Sequence, residues 1–171
     1  MRQPERGGPT NDAGEAFWRF SLALYARPGV AEALIALQDR AGRDVNLMLF
    51  ALWAGAVRRV ALDAGALAAA EAAIGGLRRD VVESLRVLRQ RLKTDPNPDL
   101  RELRRKILAL ELAAERRMQR RLAAMLDGTD GREPDGLATA DGNLAIYLGA
   151  EVESPEAALL RASLAALTRR D

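Results

Sequence analysis

The segment Phe17–Trp53, FWRFSLALYARPGVAEALIALQDRAGRDVNLMLFALW, decides how this chain folds. It holds all three Phe, both Trp and one of the two Tyr of a chain whose aromatic content is 4%. From Val45 to Val57 it runs 13 residues with Asn46 as the lone strongly polar side chain, and Arg58-Arg59 closes the run. At 100° per residue, Leu49, Phe50, Trp53 and Val57 cover one side of a helix, while Leu47, Met48 and Leu52 spread over the others. A helix that is apolar nearly all round belongs inside a bundle. The run is too short for a membrane span, which needs about 20 residues. The sequence therefore predicts a helix over about 44–62, capped by Asp44, at the centre of the domain.

Working outward, an earlier helix is expected over about 15–26. Arg27-Pro28-Gly29 then forces a turn, because the residue before a proline resists the α region. A second helix to about Arg40 places Val30, Ala33, Leu34 and Leu37 on one face and stops at Gly42. Beyond the central helix, 66–74 reads as a short Ala-rich helix ended by Gly75-Gly76. Two longer helices, about 77–93 and 98–126, are joined by TDPNPD, with Asn97-Pro98 as a start signal. Apolar residues recur every three or four positions along both, the pattern of an antiparallel hairpin. Ser154-Pro155-Glu156 opens a last helix. The segments expected are a disordered tail over 1–14, a bundle over 15–126, a mobile loop over 127–142 and a docking segment and helix over 143–171. The fold class is all-α: one domain, a bundle of about six to seven helices with a long antiparallel helical hairpin.

Composition excludes much chemistry. The chain of 171 residues has no His and no Cys. Triads, thiol redox chemistry, disulfides and imidazole or thiolate metal sites are thereby removed. Only Lys93 and Lys106 are lysines, and no nucleotide-binding glycine loop occurs. No catalytic residue, cofactor or metal ligand is assigned. With no apolar leader and no span, the expectation is a cytoplasmic protein away from membranes.

Net charge of +2 hides an asymmetry. Residues 78–121, the expected hairpin, hold 14 basic and seven acidic side chains, and residues 122–171 hold four and nine. Arg105, Lys106, Arg116, Arg117 and Arg120 fall within about 120° on the second long helix. They are the candidate surface for a protein partner or another anionic surface, or for nucleic acid. No aromatic residue is interleaved with them, so base stacking finds no platform.

Glu111 and Glu115 are the least expected residues, since Glu111 falls inside the apolar arc of its helix and Glu115 near its edge. A carboxylate turned into a bundle must be paired, protonated or metal-bound. Arg58 or Arg78 is the expected partner of Glu111. Asp39, Asp44 and Asn46 surround the Gly42 turn, with Asn46 expected to serve a buried backbone group. Trp18, Trp53 and Tyr25 are candidate pocket walls, but the expectation for such rings in an Ala-rich bundle is core packing.

The elements F-W-x-F-S (Phe17–Ser21), P-G-V (Pro28–Val30), L-Q-D (Leu37–Asp39) and G-x-D-V-N-L-x-L-F-x-x-W (Gly42–Trp53) resemble a bacterial family of unknown function. Leu85-Arg86, Leu88-Arg89 and the stretch Glu111–Glu115 are similar to it as well, whereas the Trp of that pattern before Arg78 is Leu77 here. The resemblance covers about residues 15–150. It implies a small cytoplasmic helical protein, with no activity attached. Three functions follow as expectations. The first is a non-enzymatic binding or adaptor protein using the basic hairpin. The second is a small-molecule-binding protein or carboxylate, Mg²⁺-assisted enzyme around Glu111 and Glu115. The third is nucleic-acid binding through the hairpin.

Overall fold

The computed structural model describes residues 10–129 and 131–169. Eight α-helical segments make up the described fold: α1 (Thr10–Tyr25), α2 (Val30–Ala41), α3 (Val45–Ala56), α4 (Ala64–Leu77), α5 (Ser84–Arg91), α6 (Pro98–Ala124), α7 (Gly136–Leu148) and α8 (Pro155–Thr168). No strand occurs among the described residues, and the class is all-α.

Local chemistry sets most helix ends. Gly42 adopts φ +65°, and its N–H donates to Gln38 O at 2.9 Å, a left-handed cap that L-residues resist. Asp44 accepts from Leu47 N at 3.1 Å and opens α3. Asn97 and Ser154 cap α6 and α8, each followed by proline.

Helix α3 is the axis of the molecule, with every residue from Asn46 to Gly55 buried. It is shorter than the sequence predicts. Arg59 takes a left-handed backbone (φ 57°), and the chain beyond Ala56 is held by Asn143, whose side chain accepts from Leu62 N and donates to Ala51 O and Val60 O. Helix α7 lies against α3 so closely that a Cβ on Gly55 would stand 2.2 Å from Ala140 N. The expected loop 127–142 is accordingly cut short. Asp135 accepts from Leu137 N and Ala138 N, so a helix starts at Gly136. Of the expected N-terminal tail, Thr10–Gly14 belong to α1, and residues 1–9 lie outside the described residues.

The Gly75-Gly76 break is also corrected. Helix α4 runs through both glycines into a π-helical stretch, Arg78–Glu83, and on into α5. Glycine disfavours helix by about 1 kcal/mol, a penalty that packing overrides here: Ile74, Gly75 and Val82 are all buried. The resulting rod packs antiparallel to α6, and α1 packs on α6 as well. No single helix among the described residues is long and apolar enough to cross a membrane.

Candidate functional site

Two adjoining cavities, about 400 and 320 Å³, open between α1, α2, the start of α3, the rod and α6. They share Gln38, Val45, Asn46, Arg86 and Glu115, and so form one branched cleft. Its size is that of a small-molecule site.

The floor of the larger branch is polar and buried. Ser21 Oγ donates to Gln119 Oε1 at 3.2 Å, and Gln119 Nε2 donates to Asn46 Oδ1 at 2.9 Å. Gln119 is 2% exposed and Asn46 7%. The chain of bonds ends at Asn46, whose Nδ2 has no acceptor among the described residues. With both amides turned over, Asn46 donates to Gln119 and its oxygen is the open atom instead. In either orientation one amide atom of Asn46 is left to the cleft. The expectation that Asn46 serves a backbone group is therefore corrected: its partner is a side chain 73 residues away.

Glu111, 4% exposed, forms one wall. Its partners are Arg86 and Arg89, rather than Arg58 or Arg78. Arg89 Nε donates to Oε2 at 2.6 Å, and Arg86 Nε donates to Oε1 at 3.0 Å. Arg86 Nη2 also reaches Glu115 Oε1 at 3.0 Å. Burial pushes the Glu111 carboxyl up, but the hydrogen bonds from Arg89 and Arg86 outweigh it and hold the group below its ordinary range. Glu115 goes the other way. Burial raises it, the charges of Glu111 and Asp44 add to the rise, and its one arginine does not compensate. Two carboxylates one turn apart are thus pushed to opposite protonation tendencies.

Arg58 and Arg78 have other duties. Arg58 donates to Leu126 O and lies over the Trp53 ring. Arg78 reaches Asp44 Oδ2 at 3.5 Å in the smaller branch. Asp44 is chiefly a helix cap there, and its own N–H donates to Tyr147 Oη at 2.9 Å. Asp39 is an exposed residue at the mouth. Trp18 lines the larger branch, with Arg116 over its ring at 5.7 Å. Trp53 does not belong to the site: it is 1% exposed, stacked on Phe17 at 4.9 Å in the core.

The basic surface is less available than its sequence suggests. Arg116 and Arg120 both donate to Glu15 on α1, Arg116 at 2.6 Å. Lys106 pairs with Glu102 one turn away. Arg105, Lys106 and Arg117 stay exposed along α6. Among the described residues, no three metal-ligating side chains come together.

The sequence reading missed Ser21, Arg86, Arg89 and Gln119 as site residues. A signal for Gln119 was present: Glu111, Glu115 and Gln119 repeat every four positions and form one polar row along an otherwise apolar face.

Fold and cleft together define the class, an all-α bundle with a polar-floored cleft opening between its helices. Residues 16–122 match the family model described as "Protein of unknown function (DUF2390)", and the chain belongs to that family. Every residue lining the cleft, from Trp18 to Gln119, falls inside the matched segment, whereas α7 and α8 fall outside it. No curated protein and no solved structure matches the chain.

Proposed function

We propose that this chain is a small-molecule-binding protein and that the cleft floored by Ser21, Gln119 and Asn46 is its binding site. The observation that carries the reading is the open amide atom of Asn46. Asn46 is 7% exposed, its open amide atom has no partner among the described residues, and it lines a cleft of about 400 Å³ bounded by five helices. A ligand oxygen or nitrogen would satisfy it. Leu22, Tyr25, Ile35, Leu108 and Leu112, all well exposed at the mouth, supply apolar contact for the rest of such a ligand.

The adaptor reading has less to stand on. Of the arginines that make the hairpin basic, Arg86, Arg89, Arg116 and Arg120 spend their charge on carboxylates of the same chain.

The test is a titration with Nile red, a neutral apolar dye, followed by its emission. Saturable binding is expected, with loss in Leu112→Trp and in Leu22→Trp, which fill the mouth. Binding that is unchanged in both folded variants would overturn the reading.

A further inference from the structure

The charges around the cleft are unbalanced in one direction. Arg78, Arg86 and Arg89 line its two branches, against Asp39, Asp44, Glu83, Glu111 and Glu115. In the larger branch the arginines are paired, Arg89 with Glu111 and Arg86 with Glu111 and Glu115. In the smaller one Arg78 reaches Asp44 at 3.5 Å and keeps a buried Nε without a hydrogen-bond partner among the described residues. A ligand anion in the larger branch would meet Arg86 and Arg89 already paired with carboxylates, and a carboxylate surplus around it. A cation would find the opposite. Glu115 lines both branches and is held by a single hydrogen bond, from Arg86 to Oε1, so that Oε2 accepts none among the described residues. Asn46 lines both branches too, and with its amide turned over it presents Oδ1, an acceptor for an N–H donor.

Resting on the proposed cleft, we infer that its ligand is a small amphipathic organic cation. Its ammonium group pairs with Glu115 Oε2 and Asn46 Oδ1, and its apolar body lies against Leu22, Ile35, Leu108 and Leu112. Glu111 takes no part in the contact. Buried under two guanidinium groups, it fixes Arg86, and Arg86 fixes Glu115. That makes Glu111 a positioning residue. The unfavourable surroundings of the Glu115 carboxylate point the same way, because an added positive charge relieves the repulsion from Glu111 and Asp44.

Charge-matched probes separate this inference from the reading it rests on. n-Octylammonium, n-octanol and octanoate share one tail and differ in the head, and each can be titrated calorimetrically against the full chain near neutral pH. n-Octylammonium is expected to bind about tenfold tighter than octanol, with octanoate weakest. Glu115→Gln, nearly isosteric, should bring octylammonium down to the affinity that the same variant shows for octanol. A measurement without mutation checks the same point. The preference for octylammonium should shrink as pH falls and Glu115 takes up its proton. The groups around that carboxylate are Arg86 and Arg89 on α5, Arg78 and Glu83 in the π stretch, Asp44 before α3, Tyr25 on α1, Asp39 on α2 and Glu111 on α6 itself. Equal affinities for octylammonium and octanol, tightest binding of octanoate, or a preference untouched by Glu115→Gln would overturn the cation inference while the cleft reading stands. Failure of all three probes together with failure of Nile red would overturn both.

Discussion

Gln119 on α6 and Asn46 at the start of α3 share a hydrogen bond of 2.9 Å although 73 residues separate them. Ser21 on α1 completes the row from the other side. Three helices are thereby tied at one buried point, and tying them there leaves an amide atom facing the cleft. Gln119→Ala removes the middle of the row and strands two buried polar groups, at about 1–3 kcal/mol each. Urea unfolding should show a loss of about 2–6 kcal/mol. A loss below about 1 kcal/mol would mean that water replaces the amide and that the row is not structural.

Glu111→Ala leaves Arg86 and Arg89 facing each other in a partly buried wall. Breaking such a pair on one side costs about 3 kcal/mol, or roughly 6–12 °C in Tm for a chain of this size. Glu111→Ala combined with Arg89→Ala should recover part of that loss, because one stranded charge goes with its partner. A melting temperature equal to that of the native chain would exclude the ion-paired wall.

The two carboxylates predict opposite pH dependences. The Glu111 carboxyl is lowered from 4.5, so its contribution is complete above 4.5 and is lost as pH falls through its folded value. For Glu115 the carboxyl is raised from 4.5. Its contribution is present below 4.5 and is lost as pH rises through its folded value. Unfolding followed across acid pH should therefore show the native chain losing its advantage over Glu111→Gln on acidification. Its advantage over Glu115→Gln should shrink on alkalinisation towards neutrality. Parallel curves for the two variants would contradict the assignment.

Gly55 fixes the distance between α3 and α7. Gly55→Ala places a methyl group 2.2 Å from Ala140 N and 2.3 Å from its Cα, so α7 must move. Overpacking of that kind costs about 1–3 kcal/mol, and the shift also disturbs Asn143, whose side chain holds Leu62, Ala51 and Val60. Amide hydrogen exchange should report lost protection at Leu62 N–H in Gly55→Ala. The cleft is lined by neither residue and should bind Nile red as before. Unchanged protection at Leu62 would show that α7 absorbs the methyl group without moving.

Whatever depends on neighbours within a turn or two was legible in the sequence by itself. Gly42, Asp44, Asn97-Pro98 and Ser154-Pro155 mark helix ends through local backbone chemistry, and the apolar run after Asp44 marks a buried helix whatever surrounds it. Glu111 was conspicuous for the same reason, a charge on an apolar face. The tertiary structure decided who meets whom. That Glu111 takes Arg86 and Arg89, that Asn46 takes Gln119, and that Trp53 stacks on Phe17 in the core away from the cleft depends on contacts between distant segments. It also overrode local preference once, carrying a helix through Gly75-Gly76. A glycine inside a helix costs about 1 kcal/mol relative to alanine, and burial against a neighbouring helix outweighs it. The cleft itself is a space between helices, and no single stretch of sequence encodes it.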